Sequence, residues 1–192
     1  MASRFMSSSL FQLAHKPTML ATGRRAFHAS RLNAVAVGDA IPSITLYKDS
    51  PGDEVAIDQV TKSGKSLLVF VPGAFSPSCS ARHIPGYISL ASKFADKGVS
   101  NIFVISGNDV FVTSAWGSGL GDADGKITFL ADPTLALGFK LDLTFDATKI
   151  FGWHRHKRSA ILVEDGVVKN LWVEPDSTGV SISEAKSVIE KI

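Results

Sequence analysis

The chain has 192 residues, of which 45% are hydrophobic and 20% charged, and its formal net charge is +2. That length accommodates one domain with a substantial core and an appendage, but not a second full domain. No apolar run approaches the roughly 20 residues that cross a bilayer, which argues against a membrane protein.

The charges and the cysteine content exclude several further classes. Five of the 20 basic residues and none of the 18 acidic ones lie in residues 1–33. The rest of the chain is therefore net acidic, which gives no electrostatic reason to expect nucleic-acid binding. The single cysteine, Cys79, excludes an internal disulfide and any zinc site built from clustered thiols.

Residues 1–33 are predicted to be a mitochondrial presequence. They are rich in Ser, Ala and Arg and lack acids, and their spaced apolar residues allow a short amphipathic helix. The stretch Arg24–Ser30 resembles the processing site of fungal matrix-targeted precursors. We therefore expect a mature protein that begins near residue 31 and resides in the mitochondrial matrix. The alternative is a tail without a targeting role.

From Val37 onward, short β-branched runs alternate with amphipathic stretches, which predicts an α/β domain over residues 34–192. The predicted strands are Ser43–Tyr47, Ser66–Val71, Asn101–Ser106, Ile127–Ala131, Ser159–Glu164 and Val167–Val173. The predicted helices are Pro77–Lys97, Asp109–Gly119, Pro133–Gly138 and Ser181–Lys191. A central mixed β-sheet flanked by helices, ending in a hairpin and a helix, indicates a thioredoxin-like fold.

The segment Val71–Ser80 joins a buried strand to a long helix and contains the cysteine. A thiol in the first turn of a helix meets unpaired backbone N–H groups and the positive end of the helix dipole, and both stabilise the thiolate. Ser76 can offer its hydroxyl to the thiolate or to a bound oxygen, while Pro72 and Pro77 stiffen the loop. Cys79 is thus a candidate nucleophile, although an isolated cysteine is more often a buried apolar side chain.

The spacing Pro72-x-x-x-Ser76-x-x-Cys79 resembles the peroxiredoxin signature Pro-x-x-x-Thr/Ser-x-x-Cys. The fuller stretch PGAFSPSCSARHIPGY is similar to the type-five (plant type II) subfamily, and similarity continues from about Val37 to the C-terminus. The resemblance implies a thiol peroxidase for antioxidant defence and cell redox homeostasis, of the fungal mitochondrial kind. It would reduce hydrogen peroxide and alkyl hydroperoxides through a Cys79 sulfenic acid, without a cofactor or a metal.

The resemblance also assigns further residues. The family's catalytic arginine falls on Arg158, just before a predicted strand, with Arg155 as the alternative. His83, four residues after Cys79, can share its helix face and tune the thiol, or it can serve packing or an interface. The subfamily's pocket walls fall on Phe75, Ile150 and Phe151.

Relatives that form an internal disulfide carry a resolving cysteine, and the matching position here is Ile182. The resemblance therefore implies a one-cysteine mechanism, in which an outside thiol reduces the sulfenic acid. Glutathione with glutaredoxin, or thioredoxin, is the expected reductant, and glutathione is favoured. The subfamily further implies a non-covalent homodimer with the loops around Phe75 and Trp116 near the interface.

Other functions remain open at this level. A thioredoxin-like redox sensor or chaperone module with an incidental thiol would share the fold. A dithiol oxidoreductase would need Cys-x-x-Cys, where this chain has Ser76-x-x-Cys79. The basic run HRHKR at 154–158 is compatible with a nucleic-acid patch or a His-x-His metal site, as well as with a loop that bears one active-site arginine.

Overall fold

A computed structural model of the chain describes Met1, residues 34–122 and residues 125–192. Apart from Met1, the predicted presequence lies outside the described residues. The strands are β1 Thr45–Tyr47, β2 Glu54–Ala56, β3 Lys65–Val71, β4 Val99–Ser106, β5 Ile127–Ala131, β6 Thr144–Phe145, β7 Arg155–His156, β8 Ser159–Glu164 and β9 Val167–Val173. The α-helices are α1 Ile57–Val60, α2 Ile84–Asp96, α3 Val110–Gly119, α4 Ala136–Lys140, α5 Thr148–Phe151 and α6 Ala185–Ile189.

The main sheet is mixed, as predicted, and has seven strands in the order β2-β1-β5-β4-β3-β8-β9. Its centre is parallel, because β4 pairs in parallel with both β3 and β5. Both flanks are antiparallel, with β8 on β3, β9 on β8 and β1 on β5. The short strands β6 and β7 form a separate antiparallel pair.

Strand β3 passes through the middle of the core. Leu67, Val69 and Val71 pack in one apolar cluster together with residues of α2 and α6. Leu68 and Phe70, which alternate with them, pack in a second cluster on the opposite face. Because side chains alternate across a strand and both faces are covered, β3 reads as a continuous apolar run. It ends at Val71, which leads directly into the Pro72–Ser76 loop.

The helix predicted for Pro77–Lys97 contains a π-helical turn, Cys79–His83, before α2 begins. The backbone N–H of Ile84 bonds the carbonyl of Cys79, five residues earlier. Pro85 explains the widening, since it has no N–H to donate to the carbonyl of Ala81 and its ring would clash with that carbonyl in a regular α-helix. Such turns are frequent at functional sites.

Two other predicted helices were wrong in their bounds. The stretch predicted as Pro133–Gly138 becomes helical only at Ala136, because Leu135 adopts a left-handed backbone with a φ of 57°. The helix predicted as Ser181–Lys191 shortens to α6, because Ser181 and Ser183 bind a side chain elsewhere in the chain, as described below. The sequence missed the short elements, since two to four residues show no periodicity: β2, β6, β7, α1 and α5. Among the described residues, no helix has the length and apolar character needed to span a bilayer.

Candidate active site

Cys79 begins the π-helical turn that follows the loop after β3, and its side chain is fully buried, with 0% exposed. Residues 77 and 78 are already helical, so the thiol lies in the first turn, as the sequence predicted. Backbone N–H groups of a first turn have no helical partners and favour negative charge nearby. Cys79 therefore lies at the electropositive end of this helix.

Arg158 supplies a cation to this thiol. Its Nη1 lies 3.3 Å from Cys79 Sγ, and its side chain is only 2% exposed. The sheet register explains the meeting: Phe70 near the end of β3 pairs with Ser159 at the start of β8, so the residue before β8 lies beside the Cys79 loop. Of the two candidate arginines, Arg158 is the one that the structure brings to the cysteine.

His83 reaches Cys79 only through Arg158. Its Nε2 lies 3.1 Å from the carbonyl oxygen of Ser183, which can only accept, so Nε2 carries the proton. Its Nδ1 is then free to accept from Arg158 Nη1 at 3.2 Å. Burial, together with the Arg158 cation, lowers the pKa of His83 to about 3. The imidazole is therefore neutral at physiological pH and acts as a fixed acceptor for Arg158.

Glu174 anchors the loop that covers Arg158, and sequence reasoning assigned it no role. Its two carboxylate oxygens accept hydrogen bonds from the backbone N–H and hydroxyl of both Ser181 and Ser183, at 2.6–2.9 Å. Burial favours its neutral form, but these four bonds outweigh burial and lower the pKa of Glu174 to about 2. The anchored loop presents the Thr178 carbonyl to Arg158 Nε at 3.0 Å. The signal in the sequence was a carboxylate followed by three serines within ten residues.

The Ser76 hydroxyl does not point its proton at the thiol, which was one of the two roles expected from the sequence. It donates to the carbonyl of Gly73 at 2.9 Å, three residues back in the same loop, rather than to the thiol. Its oxygen keeps lone pairs that can accept a further hydrogen bond. Pro72 is buried at the start of this loop. The backbone N–H of Ala74 is held by Asn108 Oδ1 at 2.9 Å, a contact that the sequence did not predict.

The three predicted pocket residues lie on two segments. Phe75 is 62% exposed and adopts a left-handed backbone with a φ of 57°. A non-glycine residue held in this region stores strain of roughly 1–2 kcal/mol, and such strain is concentrated at functional sites. Ile150 and Phe151 end α5; Ile150 is 77% exposed, whereas the Phe151 ring lies against Gly73 of the cysteine loop.

The two histidines of the basic run at 154–158 lie in different environments. His154 contacts the rings of Trp153 and Phe139, with centroid distances of 5.3 and 5.7 Å. His156 is fully buried, and its Nε2 lies 3.5 Å from Asp132 Oδ2. Burial and then the Arg155 cation lower the pKa of His156 to about 3. Within the residues that the structure describes, no cluster of three or more His, Cys, Asp or Glu side chains could hold a metal ion.

Trp116, expected near an interface, does not present its side chain to the surface. It is 1% exposed, and its indole N–H donates to Ser80 Oγ at 2.9 Å. The ring also meets Phe129 edge to face. Phe111 on the same helix is the exposed aromatic residue of α3.

Comparisons with known proteins agree with this geometry. Residues 36–189 match the family model named Redoxin. The chain is 40% identical over 159 residues to Peroxisomal membrane associated protein 20 of Schizosaccharomyces pombe, covering 82% of this chain and 99% of that protein. It is 40% identical over 190 residues to Peroxiredoxin-2E-2, chloroplastic, of Oryza sativa subsp. japonica, covering 89% and 83% of the two chains.

Among solved structures, peroxiredoxin 5 from Alvinella pompejana aligns with a TM-score of 0.72 and 34% identity, over 81% of this chain and 96% of that one. The match confirms the thioredoxin-like fold expected from the order of the elements. Because the redoxin model spans most of the chain and a peroxiredoxin is 40% identical across 89% of it, the chain belongs to the redoxin family as a type-five peroxiredoxin, a thiol-dependent peroxidase with one cysteine.

Proposed function

We propose that Cys79 is the nucleophile of this peroxidase and that Arg158 is the cation that activates it and binds the peroxide. The observation that carries the proposal is the 3.3 Å distance between Arg158 Nη1 and Cys79 Sγ, with both side chains buried. A guanidinium fixed in a poorly hydrated site stabilises charge more strongly than one in bulk water.

In the proposed reaction, the Cys79 thiolate attacks one peroxide oxygen along the O–O axis. An S–O bond forms as the O–O bond breaks, and the second oxygen leaves with the electron pair and takes a proton to become water or an alcohol. Sulfur is thereby oxidised to the sulfenic acid. Negative charge moves from sulfur to the leaving oxygen, and the Arg158 guanidinium, beside Sγ, can follow that charge.

The surrounding residues have supporting roles in this proposal. Ser76 Oγ accepts a hydrogen bond from the peroxide O–H, because its own proton is given to Gly73. Pro72 limits the conformations of the loop, and Phe75, Ile150 and Phe151 form its apolar walls. His83 is a positioning residue, since its neutral Nδ1 holds Arg158 in line with the thiol.

The test is peroxide consumption with a small thiol as reductant. Cys79→Ser should abolish turnover while the circular dichroism spectrum stays unchanged. Arg158→Met should lower kcat/KM about 100-fold or more, since one preorganised donor in such a site contributes roughly 3 kcal/mol. The matched control is Arg82→Met, because Arg82 lies in the same π-helical turn but bonds Val180 and Glu184. A loss in Arg82→Met equal to that in Arg158→Met would contradict the assignment.

Glutathione is the proposed reductant, followed by glutaredoxin. The sulfenic acid condenses with the glutathione thiol to form a disulfide and water, and a second thiol then releases Cys79. A small thiol is the simpler partner, because Cys79 is buried and the chain has no second cysteine to form the disulfide that thioredoxin usually attacks. Mass spectrometry of peroxide-treated protein with added glutathione should show the adduct on Cys79. Turnover sustained by thioredoxin and its reductase, without any adduct, would favour the thioredoxin route.

A non-covalent homodimer is proposed, with exposed aromatic residues of the cysteine loop and of α3 at its interface. Phe75 and Phe111 are both exposed and large, and side chains of this kind are typical of interface cores. Light scattering should give twice the chain mass at micromolar concentration. Phe111→Glu, on a helix that does not carry the cysteine, should shift the mass to that of a monomer, and a dimer mass in this variant would exclude Phe111 from the interface.

The mitochondrial matrix is the proposed location. The support is the acid-free, arginine-bearing composition of residues 1–33. The relatives described above carry peroxisomal and chloroplast names, so organelle residence is common among them. Import assays with isolated mitochondria should yield a shortened protein that begins near residue 31. Recovery of the uncut chain outside the organelle would refute this location.

A further inference from the structure

Arg155 is a second arginine close to the site, and the proposed reaction leaves it without a role. Its Nη1 donates to the Gly107 carbonyl at 2.8 Å, and its Nη2 donates to the Phe151 carbonyl at 3.4 Å. Its guanidinium carbon lies 5.1 Å from the centroid of the Phe151 ring. Burial lowers the pKa of Arg155, and the partners that the described residues provide are carbonyls and a ring rather than a carboxylate.

Both segments that Arg155 contacts also touch the cysteine loop. A Cβ at Gly73 would lie 3.1 Å from the ring of Phe151, so this ring packs closely on the loop backbone. Gly107 precedes Asn108, whose Oδ1 accepts the Ala74 N–H at 2.9 Å. Arg155 therefore links Phe151, which packs on Gly73, to the segment Gly107-Asn108, which holds Ala74, the next residue of the loop.

We propose that Arg155 is a positioning residue that holds the Phe151 wall against the cysteine loop and so sets the preference for bulky apolar hydroperoxides over hydrogen peroxide. The inference rests on the proposed function, because it takes Cys79 as the reacting atom and Phe151 as pocket wall. A hydroperoxide with an aromatic or branched alkyl group must place that group on the walls. Hydrogen peroxide has no such group, so its reaction depends on Arg158 and Ser76 and not on the wall.

The test compares two substrates on the full chain. For Arg155→Met, kcat/KM with cumene hydroperoxide should fall about tenfold, the usual effect of losing one apolar contact in a pocket. This fall in kcat/KM should come mainly from a higher KM, while kcat/KM for hydrogen peroxide stays within about twofold of the original value. Arg155→Lys, which keeps the charge and one donor, should restore part of the selectivity. Lys157→Met is the matched control, because Lys157 lies two residues away and bonds the Asp142 carbonyl.

An equal fall in kcat/KM for both peroxides would overturn the proposal, because the effect would then be general destabilisation. No change in either kcat/KM value would overturn it as well. If Arg155→Met fails to fold by circular dichroism, Arg155→Lys carries the same test, with a smaller fall in the ratio expected and an unchanged ratio contradictory. Failure of the proposed function gives a different result: the unmodified chain would then consume neither peroxide.

Discussion

Replacing Glu174 with Gln tests whether one buried carboxylate holds the loop over Arg158. The Glu174 side chain accepts four hydrogen bonds from Ser181 and Ser183. Glutamine would lose the charge and turn an NH₂ group toward donors that already point at it. The loop would become more mobile. The Thr178 and Ser183 carbonyls would then hold Arg158 and His83 less firmly.

The pKa of Glu174 sets the expected magnitude. A pKa lowered from 4.5 to about 2 corresponds to about 3 kcal/mol of stability at neutral pH. Because the folded-state pKa is depressed, this contribution is complete above the unfolded value and is lost as the pH falls through the folded value. The gap in unfolding free energy between the original chain and Glu174→Gln should therefore shrink by about 2 kcal/mol between pH 7 and pH 3.

Urea unfolding at both pH values measures the gap directly, and the peroxide rate at pH 7 shows whether the loop supports the site. Glu164→Gln is the matched control, because that carboxylate is exposed and its ion pair with Lys65 is long, at 3.9 Å. Its effect should stay within about 1 kcal/mol at either pH. A gap for Glu174→Gln that is the same at pH 7 and pH 3 would refute the reasoning, since the effect would not come from the carboxylate charge.

Three further outcomes are expected. Burial raises the pKa of Asp132 to about 6 despite backbone N–H donors from α4, so protonation of this carboxyl favours the folded state. The unfolding free energy of the original chain, measured relative to that of Asp132→Asn in urea titrations, should therefore rise as the pH falls from 7 to 4. Gly138→Ala should cost about 1–3 kcal/mol in the same assay, because its Cβ would lie 2.5 Å from His156 Nδ1, whereas Gly119→Ala, with nothing within 4 Å, should not destabilise. Trp116→Phe should lower stability by about 1–3 kcal/mol, since the Ser80 hydroxyl loses its buried donor; an unchanged urea midpoint would show that this bond contributes nothing.

The sequence alone determined the central framework and indicated the candidate nucleophile. The strands Ile127–Ala131, Ser159–Glu164 and Val167–Val173 have the predicted bounds. Continuous apolar runs bounded by turn residues are local signals, and they specify buried strands with little help from the rest of the chain. The candidate nucleophile was equally local, because Cys79 stands at a strand-to-helix junction within a specific motif.

Only the tertiary structure decided which groups meet at Cys79. Arg155 and Arg158 are three residues apart, and the register of β8 on β3 brings the second to the thiol and leaves the first against Phe151. The Ser76 proton goes to Gly73, and Glu174 organises Ser181 and Ser183, because partners close in space compete for each donor and acceptor. Pairings across more than 70 residues, such as Cys79 with Arg158, depend on how the sheet assembles, and no periodicity in the chain encodes them.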